Sequence, residues 1–169
     1  NVLKSSVAGS WYPADAGELK AQLDGFLAKA GEVKRNESVI GLIMPHAGYQ
    51  YSGQTAAYSV KALTPKYRTV VVVGPTHRLP MSNMFSVPQF DSYETPLGKV
   101  EFDKEFISSL LKDPLFKDEP GAVTGEHSVQ MEVPLLQLVL KDFKLVFIVA
   151  GQCSPGTVAR AAKTLRSVM

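Results

Sequence analysis

The chain has 169 residues, 45% of them hydrophobic and 20% charged, enough to bury the core of one α/β-sized domain. A net charge of +2, unclustered Lys and Arg and scattered aromatic residues argue against a nucleic-acid surface. Cys153 is the single cysteine, so an internal disulfide and a cysteine-only zinc site are excluded, and no apolar run approaches the roughly 20 residues of a membrane span. With no signal-peptide pattern at the start, the expected location is cytoplasmic.

In chain order, DAGELKAQLDGFLAKAG predicts a first helix. Asp15 is its cap, Glu18 sits three residues later, Leu19, Leu23, Phe26 and Leu27 recur at helical spacing, and Gly31 is the stop. SVIGLIM (38–44) is a nearly continuous apolar run and reads as a strand covered on both faces. SGQTAAYSVKAL then reads as a helix capped by Ser52. TVVVVG (69–74) is the clearest strand, because consecutive β-branched valines disfavour helix and suit a sheet.

The polar, proline-punctuated stretch from Pro75 to Pro96 is long for a structureless loop and predicts a strand near Met84–Val87 or a shaped site. KVEFD reads as a short edge strand and DKEFISSLLK as a helix capped by Asp103. HSVQMEVPLLQLVLK carries helical periodicity through Val129, Val133, Leu136 and Leu140, with Pro134 marking a kink or a fresh start. KLVFIVAG (144–151) is a third buried strand, and SPGTVARAAKTLRSV a helix with Ser154 as cap and Pro155 in its first turn. Buried strands alternating with helices predict a mainly parallel or mixed sheet with helices on both faces.

Ligands of such sheets bind beyond the carboxyl ends of the strands. His46 and His77 follow the first two predicted strands, so the pattern places both at that edge, where neighbouring strands would make the imidazoles converge. Gln152 and Cys153 follow the third. Two neutral imidazoles from separate loops form half a site for iron, copper or zinc, or they simply stiffen their loops by local hydrogen bonds. His127, in GEHSVQMEVP, stands at a helix start, as a proton-transfer group or an ordinary cap. Glu126, Ser128 and Glu132 read first as capping or surface groups. Tyr49, Tyr51 and Trp11 are candidate pocket-lining aromatics, with packing as the alternative. No G-x-S-x-G elbow, G-x-G-x-x-G or P-loop occurs, which disfavours a serine hydrolase and nucleotide binding.

Taken together, AGSWYPA (8–14), MPHAGYQYSG (44–53), VVGPTHRLP (72–80), YETPLGKVEFD (93–103) and GEHSVQMEVPLLQ (125–137) resemble the Memo family, called in bacteria and archaea the AmmeMemoRadiSam system protein B. The resemblance implies a fold like the catalytic subunit of class III extradiol dioxygenases, which are non-haem iron(II) enzymes. It assigns the metal to His46 and His77 and leaves His127 as a pocket residue with a catalytic role. It also implies that family members run further than this chain, so that residues 1–169 are expected to be the N-terminal portion of a longer domain. The third metal ligand, a cysteine, would lie outside the chain. Radical-SAM and AMMECR1-like proteins are the implied partners, with a small aromatic molecule or a peptide in the cleft.

Overall fold

The computed structural model describes residues 1–33 and 39–169. Its elements in chain order are β1 (Val2–Lys4), α1 (Ala16–Lys29), α2 (Tyr49–Lys61), β2 (Thr69–Pro75), β3 (Phe85–Ser86), β4 (Ser92–Thr95) and β5 (Gly98–Glu101). They continue with α3 (Lys104–Leu110), β6 (Phe116–Lys117), α4 (Gly121–Thr124), α5 (His127–Gln130), α6 (Val133–Val139), β7 (Lys144–Ala150) and α7 (Pro155–Val168).

The expected mixed α/β class is present, but the strands divide into two sheets. One has the order β1-β4-β5 and the other β2-β7-β3-β6. In the larger sheet β2 runs parallel to β7 along its full length, from Thr69 opposite Lys144 to Pro75 opposite Ala150. β3 is antiparallel to β7 and parallel to β6, so this sheet is mixed. β7 lies between two strands, and its LVFIV run is wholly buried, as a continuous apolar strand in a two-sided sheet must be. Phe147 of β7 meets Tyr93 of β4 and Phe102 in edge-to-face contacts, both at 5.3 Å between ring centroids. These rings tie the small sheet to the large one; burying each is worth about 1.5–3 kcal/mol.

Three helices start where their local chemistry says. Asp15 accepts the Glu18 amide at α1, Asp103 the Phe106 amide at α3, and Ser154 the Thr157 amide at α7. Leu19 and Leu23 bury the inner face of α1. α2 crosses α1 at Gly53, where a Cβ would stand 2.4 Å from the Phe26 ring. Pro134 marks a fresh start: α5 ends at Gln130, and α6 begins at Val133 with the proline in its first turn.

Three expectations need correction. Residue 38 lies outside the described residues, and 39–44 form no strand. Ile40 and Ile43 are 94% and 99% exposed, and among the described residues no backbone pairs with this run, to which the Tyr67 hydroxyl donates at the Val39 carbonyl. α2 begins at Tyr49 rather than after Ser52, whose hydroxyl reaches back to the Ala47 carbonyl instead of capping the helix. β2 is an edge strand rather than a fully covered one, with Val73 56% exposed.

Candidate metal centre

The residues after β2 and before α2 and α5 bring all three histidines of the chain together. His77 follows β2 by two residues, and Thr76 continues the β7 ladder by donating its amide to the Ala150 carbonyl. His127 is the first residue of α5. That helix lies directly on β2, since a Cβ at Gly74 would fall 2.4 Å from Ser128 Oγ, while the same hydroxyl donates to the Pro75 carbonyl. The glycine therefore allows α5, and His127 with it, to approach the strand. His46 arrives by a different route from the expected one. It is carried by the loop that leads into α2, and the Tyr49 amide fastens that helix start to the Trp11 carbonyl.

The ring centroids of His46 and His77 are 5.4 Å apart, those of His46 and His127 5.5 Å, and those of His77 and His127 4.3 Å. One donor atom from each imidazole lies within 4.8 Å of the others. Donors sharing a tetrahedral ion stand about 3.3 Å apart, so the three lie near the spacing that one metal requires. Among the described residues this is the one cluster of its kind, and Cys153 is not in it. The cysteine thiol faces the Met84 carbonyl at 3.8 Å, and Gln152 bridges Ser82 through its backbone.

The polar surroundings centre on Glu126, which is fully buried. It accepts the His77 backbone amide at 2.6 Å and the Ser128 amide at 2.9 Å, and its Oε1 lies 2.8 Å from His77 Nδ1. Burial works to raise this carboxyl, but the hydrogen bonds from the Ser128 and His77 amides and the His77 ring outweigh it and hold the group below the usual glutamate range. Burial, aided by the neighbouring His77, pushes His46 down. Burial also lowers His127; the opposing pull of Glu126 does not overcome it, and His77, His46 and Arg78 add to the lowering. Both rings thus favour the neutral form that ligates metals. His127 Nδ1 stands 3.4 Å from Glu126 but in no hydrogen-bond geometry, so it is a buried nitrogen without a partner among the described residues. An orphaned imidazole nitrogen beside two further imidazoles suits a cation ligand.

The aromatic candidates separate. Trp11 stacks on His127, with centroids 4.3 Å apart. Tyr49 is buried, stacks on Tyr12 and donates its hydroxyl to the Met131 carbonyl, which commits that hydroxyl to the core. Tyr51 is 80% exposed. Glu126, expected first as a cap, also reaches His77, a contact the sequence does not show. It does cap α5, as a residue before a helix should, but its second role depends on His77, 49 positions away. From His46 an apolar groove of about 490 Å³ runs along β2, lined by Val70, Val71, Val73, Leu136 and Leu140, with the Glu132 carboxyl among them.

A family model for the Memo-like protein matches residues 4–169. This chain belongs to the Memo family. It is 40% identical to a MEMO1 family protein of Archaeoglobus fulgidus, over 94% of this chain and 58% of that protein. A second MEMO1 family protein, from Thermoplasma volcanium, is 36% identical over 89% of this chain and 56% of its own length. The human Protein MEMO1 is 34% identical, covering 86% of this chain and 49% of the human one. This Memo-family chain therefore spans about half to three-fifths of the length of these relatives. Among its described residues, no helix is long and apolar enough to cross a membrane.

Proposed function

We propose that this Memo-family chain is a metal-dependent, oxidoreductase-like protein in which His46 and His77 hold a non-haem ion, with His127 beside them as third donor or proton carrier. Iron(II) is the leading candidate, with copper or zinc as alternatives. The observation that carries the reading is the convergence of all three histidines of the chain, one ring nitrogen of each lying within 4.8 Å of the others.

When bound, iron(II) supplies Lewis acidity and open positions for a small, catechol-type molecule and dioxygen. The chain's own residues do the rest. His46 and His77 bind as neutral imidazoles from two separate loops, so neither loop alone sets the site. Trp11, stacked on His127, keeps that imidazole from turning. His127, if not engaged by the ion, takes up or releases a proton at its ring nitrogen, the usual work of a partly buried imidazole near neutrality.

Elemental analysis after anaerobic reconstitution with iron(II) tests the reading. Wild type is expected to retain about one equivalent, and the His46→Ala/His77→Ala double variant to lose nearly all of it. Equal content in the two would remove the metal from the site.

The apolar groove beside His46 favours a second reading, a binding protein that holds a peptide or a protein partner, such as a radical-SAM or AMMECR1-like protein, in the same cleft. Oxygen uptake with catechol-like diols separates the two. Uptake that depends on added iron(II) supports catalysis, whereas metal-independent partner binding without any uptake supports the second reading.

A further inference from the structure

We propose that Glu126 is the positioning residue of this site: it fixes His77 in the tautomer that carries its proton on Nδ1, leaving Nε2 as the only atom His77 offers to a metal. The inference rests on the reading of His77 as a ligand and adds to it an assignment of which atom binds and what holds the ring.

The geometry leaves the carboxylate little freedom. One oxygen of Glu126 accepts the backbone amide of His77 at 2.6 Å, and the other accepts the Ser128 amide at 2.9 Å and lies 2.8 Å from His77 Nδ1. Both amides are main-chain groups whose positions are set by the end of β2 and the start of α5, so the carboxylate cannot swing away without orphaning buried amides. Each oxygen of Glu126 already takes a main-chain N–H and so acts as an acceptor. A ring nitrogen at 2.8 Å from it must therefore carry the hydrogen. The opposite tautomer would forfeit the bond and set two acceptors face to face.

Exposure explains why a clamp is needed. The His77 side chain is 40% exposed, whereas that of His127 is 13% exposed and sandwiched against Trp11. Packing can hold His127, but it cannot hold His77. Glu126, with no exposure at all, supplies by hydrogen bonds the orientation that packing does not. Carboxylate partners of this kind orient metal-binding histidines and raise their basicity, and their loss weakens metal affinity by about 10–100-fold.

The decisive measurement needs no metal. With three histidines in the chain, long-range proton–nitrogen correlation spectra of the metal-free protein resolve each ring, and a His77→Ala sample assigns the signal. His77 is expected to show a protonated Nδ1 and a bare Nε2. A dominant Nε2–H form would overturn the proposal, whether or not the site binds metal. Glu126→Ala gives the second arm, because it removes the oxygen that accepts from His77 Nδ1. The folded variant should lose the single tautomer and bind iron(II) about 10–100-fold more weakly than wild type. Unchanged tautomer and affinity in that variant would also overturn it. Should the variant fail to fold, the wild-type spectrum alone decides. Absence of iron(II) binding to wild type itself, with the Nδ1–H tautomer present, would instead defeat the reading of the previous section and leave the clamp standing.

Discussion

A carboxyl group that is 8% exposed and meets no hydrogen-bond donor among the described residues is costly to ionise, and burial pushes Glu132 up to about 8. The consequence for stability has a definite sign. Below the ordinary glutamate value the carboxyl is protonated in both folded and unfolded chains, and burial costs no ionisation. As pH rises towards 8, the unfolded chain releases a proton that the folded one retains, so stability falls across that window and levels off above it. The full penalty is on the order of 3–5 kcal/mol. Glu132→Gln keeps the shape and removes the charge. It should match wild type near pH 4 and exceed it by up to that amount near pH 9, read from denaturant unfolding at each pH. Acid-side effects of Glu126 are common to both proteins and cancel in the difference. Parallel pH profiles would show that Glu132 finds a partner in solution.

The approach of one element to another rests on a few atoms, and α5 on β2 is the clearest case. Gly74 leaves room for Ser128 at a spacing that no real Cβ tolerates. Gly74→Ala should cost about 1–3 kcal/mol by overpacking and, because α5 begins with His127, should displace that imidazole from its neighbours. Chemical unfolding checks the first effect. Loss of iron(II) affinity beyond what the fall in stability produces checks the second. The same packing shows why some elements were readable in the sequence and others were not. α1, α3 and α7 announce themselves through Asp15, Asp103 and Ser154, whose capping bonds span three residues, and β2 and β7 through valine- and isoleucine-rich runs. β3 and β6 have two residues each, too few to show a period. Residues 39–44 are as apolar as β7, but a strand exists only where a second backbone meets it, and composition does not encode that meeting. His46 and His77 were legible as a converging pair; the proton arrangement that Glu126 imposes on His77 was not, because it is a tertiary contact.

At the scale of the whole molecule, β2 offers one edge to β7 and leaves the other without a strand among the described residues. Around that edge lie Ile40 and Val73, both largely exposed, and the groove of about 490 Å³ that reaches His46. An open, valine-rich edge beside an exposed isoleucine is the arrangement that natural sheets avoid by covering or charging the edge, since its free amides and carbonyls template pairing with another chain. The chain studied by itself should therefore self-associate as its concentration rises. Val73→Lys places a charge on the exposed face of the strand, away from the β7 ladder, and costs little stability because Val73 is more than half exposed. Size-exclusion chromatography with light scattering should show the mass of wild type climbing with concentration while Val73→Lys stays at 18.3 kDa, the mass of one chain. Denaturant midpoints for the two should agree, so that any difference in association is assigned to the edge and not to unfolding. A wild-type chain that stays monomeric over the whole concentration range would mean that residues near β2 already shield its backbone in solution.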